Sequence, residues 1–440
     1  MTRRKMLHDT ALAGAGAVIL SSRGLYGAEK KSPNEKLNIA YVGSGGRGAA
    51  NIAQLKDENV AALCDVDQVR AAATFEKYPD VRKFQDYRKM LDEMNKEIDA
   101  VVVSAPNHIH APASAMAMRM GKHVYCEKPL THSVYESRVL AQLAAEKKVA
   151  TQMGTQMHAS GNYRRAIEVL RSGAIGTARE LDMWAAGGAT HGEAPTPYST
   201  KVGKGRPADT PPVPPTLNWD LWIGPAPMRP YHPCYLPREW HFWWDFGGGE
   251  LGNVGCHYLD MPFWALDLRN PTAVEAEGDL LNPERTPARM TIKYEFAARG
   301  ELPPLKFTWY WGRSSPRIKG QKVEEWPLCY LFVGDKGLMA VSPQKFVLLP
   351  EDKFADYKPP EKSIPDSIGH WAEWVAACRT GSPTGCHFGY SGPMTETVLL
   401  GNVAFRAGKK LDWDGPNLKV TNCPEAQQFV RREYRSAWTL

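Results

Sequence analysis

Six consecutive residues, Gly43-Ser44-Gly45-Gly46-Arg47-Gly48, carry the spacing G-x-G-x-x-G. Glycines so placed allow a tight turn, let backbone approach a pyrophosphate, and let helix pack closely on strand. The pyrophosphate would rest on the N-terminus of the next helix, where open amides and the dipole favour an anion. Asp65 follows Gly43 by 22 residues. An acid at that distance hydrogen-bonds a ribose 2′-hydroxyl and repels a 2′-phosphate, which favours NAD. Arg47 and Arg70 could still take a phosphate, so NADP stays open. This chemistry is dinucleotide binding, and with it hydride transfer.

Three further groups could act on a substrate. Pro106, Asn107 and His110 follow an apolar run at 98–103 and could line the nicotinamide end or simply cap the next helix. Glu127-Lys128-Pro129 follows another short strand. A lysine there could donate to a substrate oxygen and stabilise a developing alkoxide, with Glu127 holding it. On physics alone a solvated surface lysine is the stronger reading of that triplet. The run Gly247 to Asp260 reads as a glycine turn and a helix, with Asn253 and His257 on one face at i, i+4. His257 has the right intrinsic pKa for a general base, and Asp260 could orient it. A satisfied buried histidine at a domain junction is the plainer alternative.

These residues need a scaffold, and the pattern supplies one. From about residue 36, short apolar strands alternate with amphipathic helices, as in a doubly wound parallel sheet. Ile98-Asp99-Ala100-Val101-Val102-Val103 is the expected central strand. Helices are expected near 111–120 and 133–147, and strands near 123–126 and 149–152. After residue 153 the texture changes. A helix over 162–172 and a strand over 178–186 precede long ordered loops over 190–240. Alternating stretches between 272 and 349 then predict a mainly antiparallel sheet. Helices return within 366–407, the first presenting Ile368, Trp371 and Val375 on one face. The fold class is α/β. The expected segments are 1–30, a Rossmann domain over 31–152, and an α/β substrate-binding or oligomerisation domain over 153–440 whose terminal helices pack back.

Composition narrows the function. Arg3, Arg4, Lys5 and Arg23 against Asp9 place half of the +6 formal charge in the first 28 residues. The small remainder argues against a nucleic-acid partner. The eight cysteines show no C-x-x-C pair, and they read as mostly buried thiols with no metal site. Thr2-Arg3-Arg4-Lys5-Met6-Leu7 before the apolar run 11–20 is a twin-arginine pattern, too short for a stable membrane span. A periplasmic or otherwise exported protein is expected.

Taken together, the Gly43–Gly48 turn, Ala105-Pro106-Asn107-His108-Ile109-His110, Glu127-Lys128-Pro129 and the glycine-run-to-histidine helix resemble the Gfo/Idh/MocA oxidoreductases. Gly154-Thr155-Gln156, 171–176 and 218–225 extend the resemblance along nearly the whole chain past the signal. It implies NAD or NADP as cofactor, a sugar, polyol or related carbohydrate as substrate, and a homo-oligomer, dimer or tetramer. It makes Lys128 the group on the reacting hydroxyl and His257 its proton acceptor. Many relatives have aspartate where this chain has Asn253, which puts the pH dependence and the level of activity in doubt. Two alternatives follow: an NAD-retaining enzyme that cleaves glycosides by transient oxidation and elimination, and a non-catalytic NAD-bound sugar-binding protein. His158, Arg164 and the aromatic-loop residue Trp243 are further candidates for the substrate side. Packing of that loop onto the sheet domain or a partner subunit is the plainer reading of its aromatics.

Overall fold

A computed structural model describes residues 36–185, 205–312 and 314–440. The expected signal segment 1–30 and the 190–204 part of the expected loop lie outside the described residues.

The first sheet is wholly parallel, with six strands in the order 3-2-1-4-5-6. They are β1 (Asn38–Val42), β2 (Asn59–Cys64), β3 (Arg82–Phe84), β4 (Ala100–Val103), β5 (His123–Cys126) and β6 (Thr151–Met153). The central strand β4 is buried throughout, because helices cover both faces. Its covering helices are α1 (Arg47–Gln54), α2 (Gln68–Lys77), α3 (Tyr87–Glu93), α4 (Asn107–Arg119) and α5 (Val134–Lys147). Ser133 and Glu136 cap α5 reciprocally, fixing its start. Strand order reverses between β1 and β4, so a crevice opens at the carboxyl edge of the sheet there.

The second sheet has nine strands in the order 13-12-11-7-10-9-8-14-15. It comprises β7 (Ala178–Ala185), β8 (Ala273–Gly278), β9 (Met290–Phe296), β10 (Leu305–Trp311), β11 (Leu328–Gly334), β12 (Leu338–Val341), β13 (Phe346–Leu349), β14 (Leu411–Asp414) and β15 (Lys419–Val420). Among the described residues, only the β7–β10 pair is parallel. The α/β class and the two-sheet architecture expected from the sequence are thus borne out. Alpha helices α6 (Gly161–Arg171), α7 (Trp219–Ile223) and α8 (Gly249–Ala265) precede the antiparallel run, and α9 (His370–Thr380) and α10 (Phe388–Ala407) follow it.

The last two helices return to the first sheet. Trp374 of α9 is fully buried with Tyr41, Val102 and Tyr125 of β1, β4 and β5. Arg138 of α5 makes two parallel bonds, at 2.8 and 2.9 Å, to the buried Glu396 of α10. The two domains therefore share an extensive apolar seam.

Three local expectations are corrected. Ile368 does not join the buried face of α9; it is 70% exposed, because Gly369 (φ 110°) turns the chain before the helix starts. The helix expected from 111 begins at Asn107, with Pro106 at its N-cap. The 190–240 stretch is not all loop, since Trp219–Ile223 is helical with Asn218 as its cap.

The third glycine of the turn shows why the spacing is demanded. A Cβ on Gly48 would lie 1.9 Å from the Gly43 carbonyl oxygen, so α1 could not sit on β1. Gly48→Ala is expected to cost about 1–3 kcal/mol by overpacking and to weaken nucleotide binding. Thermal unfolding and a nucleotide titration check both.

Candidate active site

The crevice at the carboxyl edge of the first sheet is a cleft of about 700 Å³. Its walls come from both domains. The glycine turn, Asp65 and Arg70 form one end; Lys128, Asn253 and His257 border the other side.

At the turn, Gly43 has φ 88°, and a Cβ there would meet the Ser104 backbone at 2.8 Å. Asp65 braces the turn from β2. Its Oδ2 accepts from the amides of Ser44 and Gly45 at 2.8 and 3.1 Å, and its Oδ1 from the Asp67 amide at 3.0 Å. Burial pushes its carboxyl above the usual range, opposed by those amides. Gly45, Gly46 and Arg47 face the cleft. Ser44 is corrected as a contact residue: its side chain is fully buried and its hydroxyl donates to the Cys64 carbonyl. Gly48 likewise serves packing.

Asn107 opens α4 and is 1% exposed. Neither carboxamide atom has a protein partner, and the residue borders the cleft beside Gly252 of α8. A buried unpaired amide is costly, so a polar group of a bound molecule suits this place. With the small turn and the helix amides, these residues fit a dinucleotide. His110 is more structural than expected. Its ring nitrogens lie 2.7 Å from the carbonyls of Pro129 and Ala105, although the residue also borders the cleft.

Glu127 is tied to the glycine-turn helix. It accepts from Arg47 at 2.8 Å and from Asn51 at 3.0 Å. Burial would raise its pKa, but Arg47 and Lys128 outweigh that and hold it below the ordinary value. Lys128 turns the other way. Its Nζ donates to the Asn253 carbonyl at 2.6 Å and to Asn253 Oδ1 at 3.0 Å. Burial pulls the ammonium below the ordinary lysine value and Arg47 adds to that, against Glu127, Cys256 and Glu250. His257 is 5% exposed, one turn beyond Asn253 on α8, and borders the same cleft.

Asp260, expected to orient His257, is engaged by other elements. It accepts from His158 Nδ1 at 2.9 Å and from the Tyr390 hydroxyl at 2.9 Å. Three residues on from His257, its carboxylate is captured by partners from other elements. His158 is accordingly not a substrate group. It is buried, stacked on Trp264 at 4.2 Å, and close to Cys386. Arg164 also leaves the cleft, pairing with the Pro365 carbonyl and Glu373. Trp243 is 1% exposed inside an aromatic cluster with Tyr235 and Phe246. Trp222 and Trp240 border the cleft in its place. All eight cysteines are free and buried.

Two cleft residues had no clear signal in the sequence. His241 lies in a short 3-10 turn within the aperiodic aromatic loop, with its Nδ1 buried and unpaired in the protein. Burial, then Lys128, hold its pKa well below the usual value. Glu250 begins the α8 face that carries Asn253 and His257, and its spacing was the only available hint.

Comparison with known proteins bears on the fold that holds this cleft. The family model GFO_IDH_MocA, an oxidoreductase family with an NAD-binding Rossmann fold, matches residues 37–155. The model of that family's C-terminal alpha/beta domain matches residues 198–302. The chain belongs to the Gfo/Idh/MocA oxidoreductase family. Inositol 2-dehydrogenase of Salmonella typhimurium is 28% identical over 146 residues, 32% of this chain and 43% of that protein. Inositol 2-dehydrogenase 2 of Saccharopolyspora erythraea is 33% identical over 150 residues, 33% of this chain and 44% of that protein. The match thus spans under half the length of these two relatives. Among solved structures, the WlbA dehydrogenase of Bordetella pertussis with NADH and UDP-GlcNAcA superposes at TM-score 0.59 and 15% identity, covering 86% of this chain and 99% of that one. The aldose-aldose oxidoreductase of Caulobacter crescentus with glycerol does so at 0.56 and 16%, covering 86% and 100%. At such identities the likeness shows the fold alone.

The His158–Asp260 pair makes a stability prediction for this family member. Burial disfavours the charged imidazole, but Asp260 and Cys386 overcome it and raise the His158 pKa well above its usual value. A raised folded pKa stabilises fully below the unfolded value of about 6.5 and is lost as pH rises through the folded pKa. Asp260→Asn is expected to cost about 3–5 kcal/mol at pH 6. The gap between wild type and His158→Gln should shrink steadily as pH rises above neutrality. Denaturant unfolding across pH measures it.

Proposed function

We propose that this protein is an NAD-dependent oxidoreductase that moves a hydride between nicotinamide and a CH–OH carbon of a sugar or polyol. One observation carries the reading. The lysine at the end of β5 and the Asn253–His257 face of α8 meet in the cleft that also holds the glycine turn. The names of the matched inositol dehydrogenases and of the sugar-nucleotide and aldose enzymes sharing the fold support a carbohydrate.

The glycine turn, the first turn of α1 and Asn107 would hold the dinucleotide, whose nicotinamide supplies hydride exchange when bound. The chain's residues do the rest. An ammonium has three donors, and Asn253 takes two of those on Lys128. The third serves the reacting oxygen, steadying it as negative charge develops. His257 accepts the hydroxyl proton during oxidation and returns it to a ketone in the reverse direction. Asn253 cannot hold a proton; it fixes the lysine. The aromatic faces of Trp222 and Trp240 suit the C–H surface of a sugar ring.

Asp65 at the ribose end supports NAD over NADP, with Arg70 lying against Gly45 and Gly46 as the opposing influence. The twin-arginine pattern supports export, and the extended second sheet suits pairing of subunits. Neither bears on the chemistry.

Lys128→Met and His257→Asn should each lower kcat/KM on the best polyol or sugar by at least about 100-fold. NADH formation by the purified protein measures this, after the co-purified nucleotide has been identified by acid release. Wild-type rates in both variants would overturn the reading. Glycoside cleavage without net NADH would favour the elimination alternative. Asp65→Ala should raise the NADP-to-NAD preference at least about tenfold by removing a like charge, read by titrating both nucleotides.

A further inference from the structure

Asn253 presents an electrical problem. A half-buried ammonium gains from a nearby negative charge, yet the side chain that receives Lys128 is a neutral carboxamide. A carboxamide has two ends, however. Its oxygen accepts from Lys128 Nζ at 3.0 Å, and its Nδ2 donates to Glu250 Oε2 at 3.3 Å. Glu250 stands one turn earlier on α8, and its residue borders the same cleft. Ammonium, amide and carboxylate form one line along the helix face. Such a chain polarises each link, so the amide oxygen facing the ammonium gains negative character.

We propose that Glu250 is a positioning residue that acts through Asn253 to orient Lys128 and keep it charged. The inference rests on the reading of Lys128 as the group that binds the reacting oxygen. An aspartate at position 253 would meet the lysine directly; the Asn253–Glu250 pair places the same charge one residue further away. Other charged or titratable groups also face Lys128: Glu127 beside it, Arg47 from α1, His110 from α4, His241 from the aromatic loop and Cys256 from α8. Glu127 is shared with Arg47 and Asn51, so Glu250 is the acid joined to Lys128 by a continuous hydrogen-bonded path.

The test compares the full-length protein with Glu250→Gln, Glu250→Asp and the double variant Asn253→Asp/Glu250→Gln. Acetic anhydride labels only the neutral amine, so the pH dependence of Lys128 acylation, read by peptide mass spectrometry, reports its charge without substrate. Glu250→Gln should speed Lys128 acylation about three- to tenfold at a fixed pH below the amine's pKa, a displacement of about half to one pH unit. Glu250→Asp should stay near wild type, and Asn253→Asp should restore the slow rate in the Glu250→Gln background. The alkaline limb of kcat/KM should move to lower pH in the same order. Wild-type acylation in Glu250→Gln, or no restoration in the double variant, would overturn the proposal. Normal turnover by Lys128→Met would instead remove the reading of Lys128 as a catalytic group, and the acylation comparison would still report the coupling.

Discussion

Lys128 is an ammonium drawn partly out of water at the carboxyl end of a parallel strand. It stays there only because another part of the chain brings acceptors to it. Those acceptors belong to a helix more than 100 residues away in sequence. The rest of the architecture serves that meeting. The two terminal helices lock the second domain onto the first, through Trp374 against β1, β4 and β5 and through Arg138 with Glu396. With the seam fixed, α8 has little freedom to slide. Its polar face must look at the strand end where a dinucleotide would lie.

The histidines of the chain show how burial sorts similar residues into different tasks. His108 has both ring nitrogens near backbone carbonyls of the aromatic region, and burial lowers its pKa to about 3. His110 is held in the same manner beside the cleft. His158 has a carboxylate and is held charged. His257 is buried on the cleft wall, and the half-buried His241 borders the same cleft. The aromatic loop has a comparable division. Most of its rings fill one cluster around Trp219, Tyr235 and Phe246, while Trp222 and Trp240 also reach the cleft.

Much of the first domain was legible because its signals are local. Continuous β-branched runs mark buried parallel strands, and glycine spacing marks a turn whose sterics allow little else. The short exposed strand β3 left no such mark, and neither did β14 and β15 at the sheet edge, where two to four residues carry too little periodicity. Helix spacing placed Asn253 and His257 together for the same local reason. It could not reveal the other partner of Asp260, because a histidine from another segment reaches that carboxylate.

The sequence by itself determined the kinds of element, their order, the dinucleotide-binding turn and the face of α8 that carries polar groups. These follow from steric and hydrophobic rules acting over a few residues. Tertiary structure alone decided which buried polar groups became partners. It sent Asp260 to His158, Arg164 to Glu373, and Lys128 to the amide that also touches Glu250. A charged group takes the best hydrogen-bond partner within about 3 Å in space, and neighbours in space at the junction of two domains are not neighbours along the chain.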